Sequence, residues 1–368
     1  MRLKCALITL PLMAVLTLPA HAADLTFSNA AGTTVTFYGQ VNLTYQGVDD
    51  GRDTYDSFVD NSNSTSRVGF WIDGELFDNR FRFNLETGLG IKNTAETSQT
   101  EDANWIDWQR TDIRRLEVVS SGNFGAIWLG QGSMATDGAA EVDNSGTSLA
   151  GYSNLADTAG GFLFRDGEAL SDVTIGGVFR NFDGSRRFRL RYDTPEFSGF
   201  TISAAAGTDV LSEDDDATYY DAALRYGHEN DTFALDAAMG YSWKDDDGEM
   251  TEQALASASA THLPSRLNLT LAMGEQMSDE GQYLYAKLGW RGDLVPVGET
   301  AIAADIYDGS DFGTAGSESG SWGVTAVQQF ADIGLEAFLG YRVYDHDDVP
   351  GADYEDISTV LVGARWKF

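Results

Sequence analysis

Residues 356–368 read Asp356-Ile357-Ser358-Thr359-Val360-Leu361-Val362-Gly363-Ala364-Arg365-Trp366-Lys367-Phe368. Val360, Val362, Ala364, Trp366 and Phe368 share one parity and are apolar. Thr359, Leu361, Gly363, Arg365 and Lys367 share the other, which is mostly polar or small. Successive strand side chains point to opposite faces, so this reads as a strand with one face in an apolar medium and one in water. The period returns throughout the chain. Val35, Phe37, Val41, Leu43 and Tyr45 alternate with Thr36, Tyr38, Gln40, Asn42 and Thr44. Phe81, Phe83, Leu85 and Leu89 alternate with Arg80, Arg82, Asn84 and Glu86. Phe188, Leu190 and Tyr192 alternate with Arg187, Arg189, Arg191 and Asp193.

Marking every such segment predicts sixteen strands, at 34–45, 66–76, 80–90, 111–120, 124–131, 185–194, 199–208, 218–227, 231–243, 251–263, 266–276, 281–291, 299–308, 319–330, 334–345 and 356–368. Most are as long as a tilted membrane strand and longer than the strands of a soluble sandwich. Short connections alternate with longer ones. The connection 292–298 is long for its class, and 172–182 has some strand character of its own. An open sheet of this size would leave unpaired edges, which closure removes. The polar parity carries arginines, which a dry core would not solvate and a water-filled lumen would. The fold class is therefore all-β: a transmembrane antiparallel β-barrel of sixteen strands, in one domain.

Composition agrees. The 368 residues hold 57 acidic and 24 basic side chains, a net charge of −33, and one cysteine. That charge gives no footprint for a phosphate backbone, so nucleic acid is not an expected partner. Arg2 and Lys4, the apolar run Ala6–Leu18 and Ala20-His21-Ala22 form an export signal, expected to be cleaved from 1–22 and to leave 23–368 as the barrel domain. Removing two positive charges takes −33 to −35, and removes Cys5 as well. His228, His262 and His346 are the remaining histidines, and neither a Gly-x-Ser-x-Gly elbow nor a His-Glu-x-x-His motif occurs, so enzymatic activity is not expected.

Several runs resemble those of Gram-negative general porins of the alphaproteobacterial type: Thr36-Phe37-Tyr38-Gly39-Gln40-Val41, Ser66-Arg67-Val68-Gly69-Phe70, Phe124-Gly125-Ala126-Ile127-Trp128-Leu129-Gly130, Leu190–Phe200 and the terminal Phe368. The resemblance spans essentially the whole of 23–368. It implies a homotrimer in outer-membrane lipid and lipopolysaccharide that passes small hydrophilic solutes and ions by diffusion, with the long third loop folded into the lumen. An anion- or sugar-selective channel of the same fold is the alternative, and an outer-membrane barrel enzyme a more distant one.

That loop corresponds to 132–184, the longest connection. Its early acids Asp137, Glu141 and Asp143 are candidates for one side of a constriction. Arg67, Arg80, Arg82, Arg115, Arg187 and Arg189, all of lumen parity, are candidates for the facing wall. Arg114 and Ile113 break the alternation, so a bulge there would decide which arginine points inward. Trp128 stands where the family often has a basic wall residue, and by parity faces inward. Opposed charges across a narrow channel order polar solutes. The remaining acids concentrate in loops, at 213–216, 245–247 and 345–356. They predict a cation-attracting mouth with no cofactor beyond loosely bound divalent cations.

Overall fold

A computed structural model of the chain describes residues 25–76, 79–100, 104–277, 281–348 and 352–368. The expected export signal at 1–22 lies outside the described residues. The alternating segments form sixteen barrel strands: β1 Thr34–Asp49, β2 Arg67–Leu76, β3 Asn79–Gly88, β4 Ile113–Gly122, β5 Gly125–Ser133, β6 Arg186–Asp193, β7 Phe200–Thr208 and β8 Thr218–Glu229. There follow β9 Phe233–Asp246, β10 Glu249–His262, β11 Leu267–Gln276, β12 Gln282–Val295, β13 Gly298–Ser310, β14 Glu318–Phe330, β15 Leu335–Asp348 and β16 Ile357–Lys367. Each pairs antiparallel with the next.

Closure is made by β16 on β1, in register from Gln40 opposite Lys367 to Asp49 opposite Ser358. The Gly39 and Phe368 backbones exchange hydrogen bonds of 3.0 and 3.1 Å at the seam. Below it, Thr26–Ser28 covers the end of β1 that β16 does not reach.

Burial is inverted relative to a soluble protein. On β11, outward Leu267, Leu269, Leu271 and Met273 are 46–54% exposed, whereas inward Asn268 and Thr270 are 1% and 2%. Large apolar side chains thus form an exposed belt around the barrel. Among the described residues no helix is long and apolar enough to cross a membrane.

Two irregularities of the sequence pattern resolve. A register shift between Gly292 and Val295 extends β12, leaving a two-residue turn at Pro296-Val297. Of the run 172–182, only 172–174 is strand, ending a hairpin of Leu163–Asp166 with Ala169–Thr174, and Ile175–Val178 form one helical turn. It belongs to the third loop and adds no barrel strand. Similarly, Asp245-Asp246-Asp247-Gly248 includes the tight turn between β9 and β10: Gly248 N donates to the Asp245 carboxylate at 3.0 Å.

Candidate permeation pathway

The third loop leaves β5 at Ser133 and rejoins the barrel at Arg186. Its backbone is bonded to inward side chains of successive strands. The Asp221 carboxylate on β8 accepts from Ala135 N and Thr136 N at 3.1 and 2.7 Å. Arg225 on β8 donates to Ala135 O and Asp137 O at 2.8 and 2.9 Å. Ser257 and Ser259 on β10 accept from Val142 N and Asn144 N. Lys287 on β12 donates at 2.8 Å to both Asp143 and Gly151 O. Tyr344 on β15 donates to Leu155 O and Thr158 O. Glycines make room along this track. A Cβ on Gly289 would sit 2.9 Å from Ser145 Cβ, and one on Gly340 2.8 Å from Ala150 O.

The return limb is held differently. Phe162, Phe164, Phe179 and Phe182 pack in an apolar cluster with Tyr283, Tyr285, Tyr307 and Tyr344 on β12, β13 and β15 and with Phe312 just beyond β13. Tyr283 and Tyr285 of β12 thus anchor the loop. Together the two limbs contact side chains of strands from β8 to β15, and β2, β3, β4 and β6 carry the arginines.

On this arginine arc, carboxylates are shared. Glu86 meets Arg114 at 2.7 Å and Arg67 at 3.7 Å. Glu117 meets Arg189 at 2.5 Å and Arg115 at 3.1 Å. The bulge anticipated on β4 is present: Glu86 is opposite Arg115 and Thr87 opposite Ile113, so Arg114 is the extra residue. Both arginines reach inward carboxylates, so the bulge adds a guanidinium to the lumen rather than exchanging one for another. Arg114, Arg186 and Arg225 were not among the sequence candidates. Arg114 sits at the broken alternation. Arg186 lies at the strand start, where parity is weakest, and reaches Asp137 at 3.9 Å.

The remaining candidates separate by depth. Arg80 and Arg82 have lumen parity but lie toward the short-turn end. Arg82 pairs with Asp73 at 2.7 Å and lies over the Trp71 ring at 4.8 Å. Both border an inner cavity of about 680 Å³ with Trp128. Arg187 stacks on Tyr219 at 4.2 Å and meets Asp209 at 3.7 Å near the long-loop end. Arg189 has 1% side-chain exposure and also donates to Gly130 O and Ser133 O. It is a strut within the wall, with no surface to offer a solute. Trp128 faces inward, donates Nε1–H to Asp193 at 2.8 Å, and has Arg191 at 5.8 Å from its ring.

The loop acids differ in state. Burial works to raise the Asp143 carboxyl, but the adjacent Lys287 ammonium outweighs it and holds the group below its usual range. Burial, with the charge of Asp183 next, raises Glu141 well above the usual carboxylate value. Asn181 donates to Glu141 at 2.9 Å. Asp183 accepts from Gly138 N and Ala140 N at 2.6 and 2.7 Å, and burial raises it from 3.8 to about 7. The folded protein therefore retains this proton where the unfolded chain has lost it, so its stabilising contribution falls as pH rises between those values. Negative charge on this limb also grows across pH 7. Cation preference is expected to increase as pH rises through 7, read as zero-current potential in a salt gradient, and Asp183→Asn to flatten the change. A wild-type potential that does not vary with pH would contradict it.

Two cavities follow the arginine arc. One of about 680 Å³ is lined by Arg114, Arg186 and Arg187 with Asp107, Asp112 and Asp209 from the loops. The other, about 490 Å³, is lined by Arg67, Arg82 and Arg115 with Glu86 and Glu117. Among the described residues, no three His, Cys, Asp or Glu side chains converge as a metal would require.

Residues 9–349 match the family model described as Gram-negative porin. Among curated proteins no relative matches the sequence. The fold resembles that of the anion-selective porin from Comamonas acidovorans, with a TM-score of 0.60 at 20% identity over 91% of this chain and 100% of that one. OprB of Pseudomonas putida gives 0.62 at 9% identity over 91% and 94%. The trimer form of OmpT from Vibrio cholerae gives 0.55 at 14% over 91% and 99%. At these identities the likeness is one of fold. Since the family match covers most of the length and the closed barrel agrees with it, the chain belongs to the Gram-negative porins, which are outer-membrane channels and not enzymes.

Proposed function

We propose that this outer-membrane channel passes small hydrophilic solutes and ions by passive diffusion, with modest cation preference, through a lumen narrowed by the third loop. The observation that carries this reading is the track of bonds from Ala135 to Thr158 along β8–β15, beside an arginine arc on β2–β6. A loop bonded to inward side chains occupies lumen cross-section and leaves the passage between its acids and the arginines. The acidic outer loops concentrate cations ahead of it. The exposed apolar belt suits the acyl chains of outer-membrane lipid and lipopolysaccharide. A homotrimer is part of the proposal, supported by family membership and by the solved trimer form of the Vibrio cholerae protein. So is export through a cleaved signal at 1–22.

In planar bilayers, stepwise conductance and a zero-current potential of the sign set by cation diffusion are expected. Silence would overturn the channel, and the opposite sign the cation preference. Solute selectivity within the same fold is the second reading. Its support is the sharing of Glu86 and Glu117 by four arginines, which leaves the arc with excess positive charge.

A further inference from the structure

The smaller cavity on the arginine arc carries features that neither diffusion nor the acidic mouth requires. Strand register sets them in order. Arg82 on β3 is opposite Val119 on β4, which is opposite Trp128 on β5. One step toward the long-loop end, Asn84 is opposite Glu117, which is opposite Gly130. One step further, Glu86 is opposite Arg115. Gly130 projects no side chain over Trp128, and Val119 is short, so the indole ring faces open space. Arg82 and Arg115 border the same space with side chains 45% and 30% exposed. Gln40, Asn84 and Lys367 also line it, with Lys367 paired to Glu336 at 3.1 Å.

The other aromatic rings here are engaged: Tyr38 stacks on Trp71 at 4.2 Å, Arg82 lies over Trp71, and Phe368 packs on Trp366 at 5.3 Å. Trp128 is fixed at its edge by Asp193, with Arg191 nearly 6 Å from its ring. The charge is unbalanced. Arg115 shares Glu117 with Arg189, and Arg67 shares Glu86 with Arg114, so two carboxylates serve four guanidinium groups. In a chain with 57 acids and 24 bases, a local cationic excess beside a held indole is not a consequence of composition.

We propose that this cavity is a solute subsite for small ring-bearing carboxylates: the ring lies on Trp128 and the carboxylate is taken by Arg115 and Arg82. The chemistry follows from the parts. A six-membered ring offers C–H or π surface to an indole face. A carboxylate matches the guanidinium fork and gains from partial desolvation in the wall. An acidic monosaccharide and an aromatic acid both carry this pair of features. The inference rests on the channel reading and adds to it a class of solute.

Four probes separate the contributions: glucuronate, benzoate, glucose and acetate, each added at constant ionic strength to single channels in a planar bilayer. Glucuronate, benzoate or both are expected to interrupt the current in a saturable manner, whereas glucose, with a ring and no charge, and acetate, with charge and no ring, do not. Glucuronate alone identifies the saccharide, and benzoate alone the aromatic acid. Trp128→Leu and Arg115→Gln are each expected to raise the apparent dissociation constant about tenfold or more. Calorimetric titration of the detergent-solubilised protein supplies a readout independent of current. Trp128→Phe should retain binding that Trp128→Leu loses, provided both keep heat-modifiable gel mobility as a sign of folding. Equal interruption by acetate, equal interruption by glucose, or no effect of either ring acid in a conducting channel overturns the subsite. Absence of any conductance overturns the channel itself, a distinguishable result.

Discussion

Lys287→Met is expected to destabilise the barrel by about 3–5 kcal/mol, because it leaves a buried carboxylate without its cation. Lys287 and Asp143 have 0% and 4% side-chain exposure and meet at 2.8 Å. The ammonium also holds Gly151 O at 2.8 Å, so a single side chain fastens the third loop at two points eight residues apart. Once it is gone, Asp143 must find water, and the stretch between those points has to leave the β12 wall. Urea unfolding in phospholipid vesicles measures the stability, and single-channel conductance reports the displaced loop. Lys287→Met with Asp143→Leu should recover most of the loss, since an apolar pair of similar volume is often neutral in place of a buried ion pair. An unchanged unfolding midpoint in the single variant would contradict the assignment.

Arg189→Leu is the second large effect, and its expected signature is different. Arg189 donates to Ser133 O at 3.0 Å, Gly130 O at 2.8 Å and Glu117 at 2.5 Å, all at the root from which the third loop leaves β5. Its loss deprives the buried Gly130 carbonyl of a donor, at about 1–3 kcal/mol, and leaves Ser133 O to Arg191 and Glu117 to Arg115. Since Arg189 presents 1% of its side chain to solvent, stability should fall while the zero-current potential stays as in the wild type. Arg115→Gln should do the reverse, because Glu117 keeps Arg189 and the lumen loses an accessible charge. If Arg189→Leu altered ion preference without altering stability, the strut reading would fail.

The contrast between those two arginines shows what the sequence makes legible. Period-two alternation gives the face of each side chain, because a strand has only two faces, and it places every barrel strand to within a few residues. Parity says nothing of depth or company. Arg80, Arg115 and Arg189 share lumen parity, yet one lies toward the short-turn end, one borders the arc's cavity and one is sealed against Glu117. Depth depends on strand stagger, and company on neighbours as far as 72 residues away, as Glu117 is from Arg189. The course of the third loop was hidden for a similar reason, although a trace of it exists. Inward Gly289 on β12 and Gly340 on β15 leave room where the loop passes. Lys287 was visible only as a polar residue in its strand, since its partner lies 144 residues away.

The seam between β1 and β16 sets an order of assembly. Fifteen of the strand pairings join neighbours in sequence, and most can zip from a turn. The sixteenth joins Gln40 to Lys367, 327 residues apart. Closing a flexible loop of that length costs about 5 kcal/mol in chain entropy before its first bond forms. That contact becomes affordable only when the other pairings have already brought the edges together. Until β16 is in place, the sheet has two open edges facing hydrocarbon, each a row of unpaired amides and carbonyls. Partial barrels are therefore poor residents of the membrane, and insertion and closure must be nearly concerted. The Gly39–Phe368 junction marks the step at which the protein commits to the bilayer.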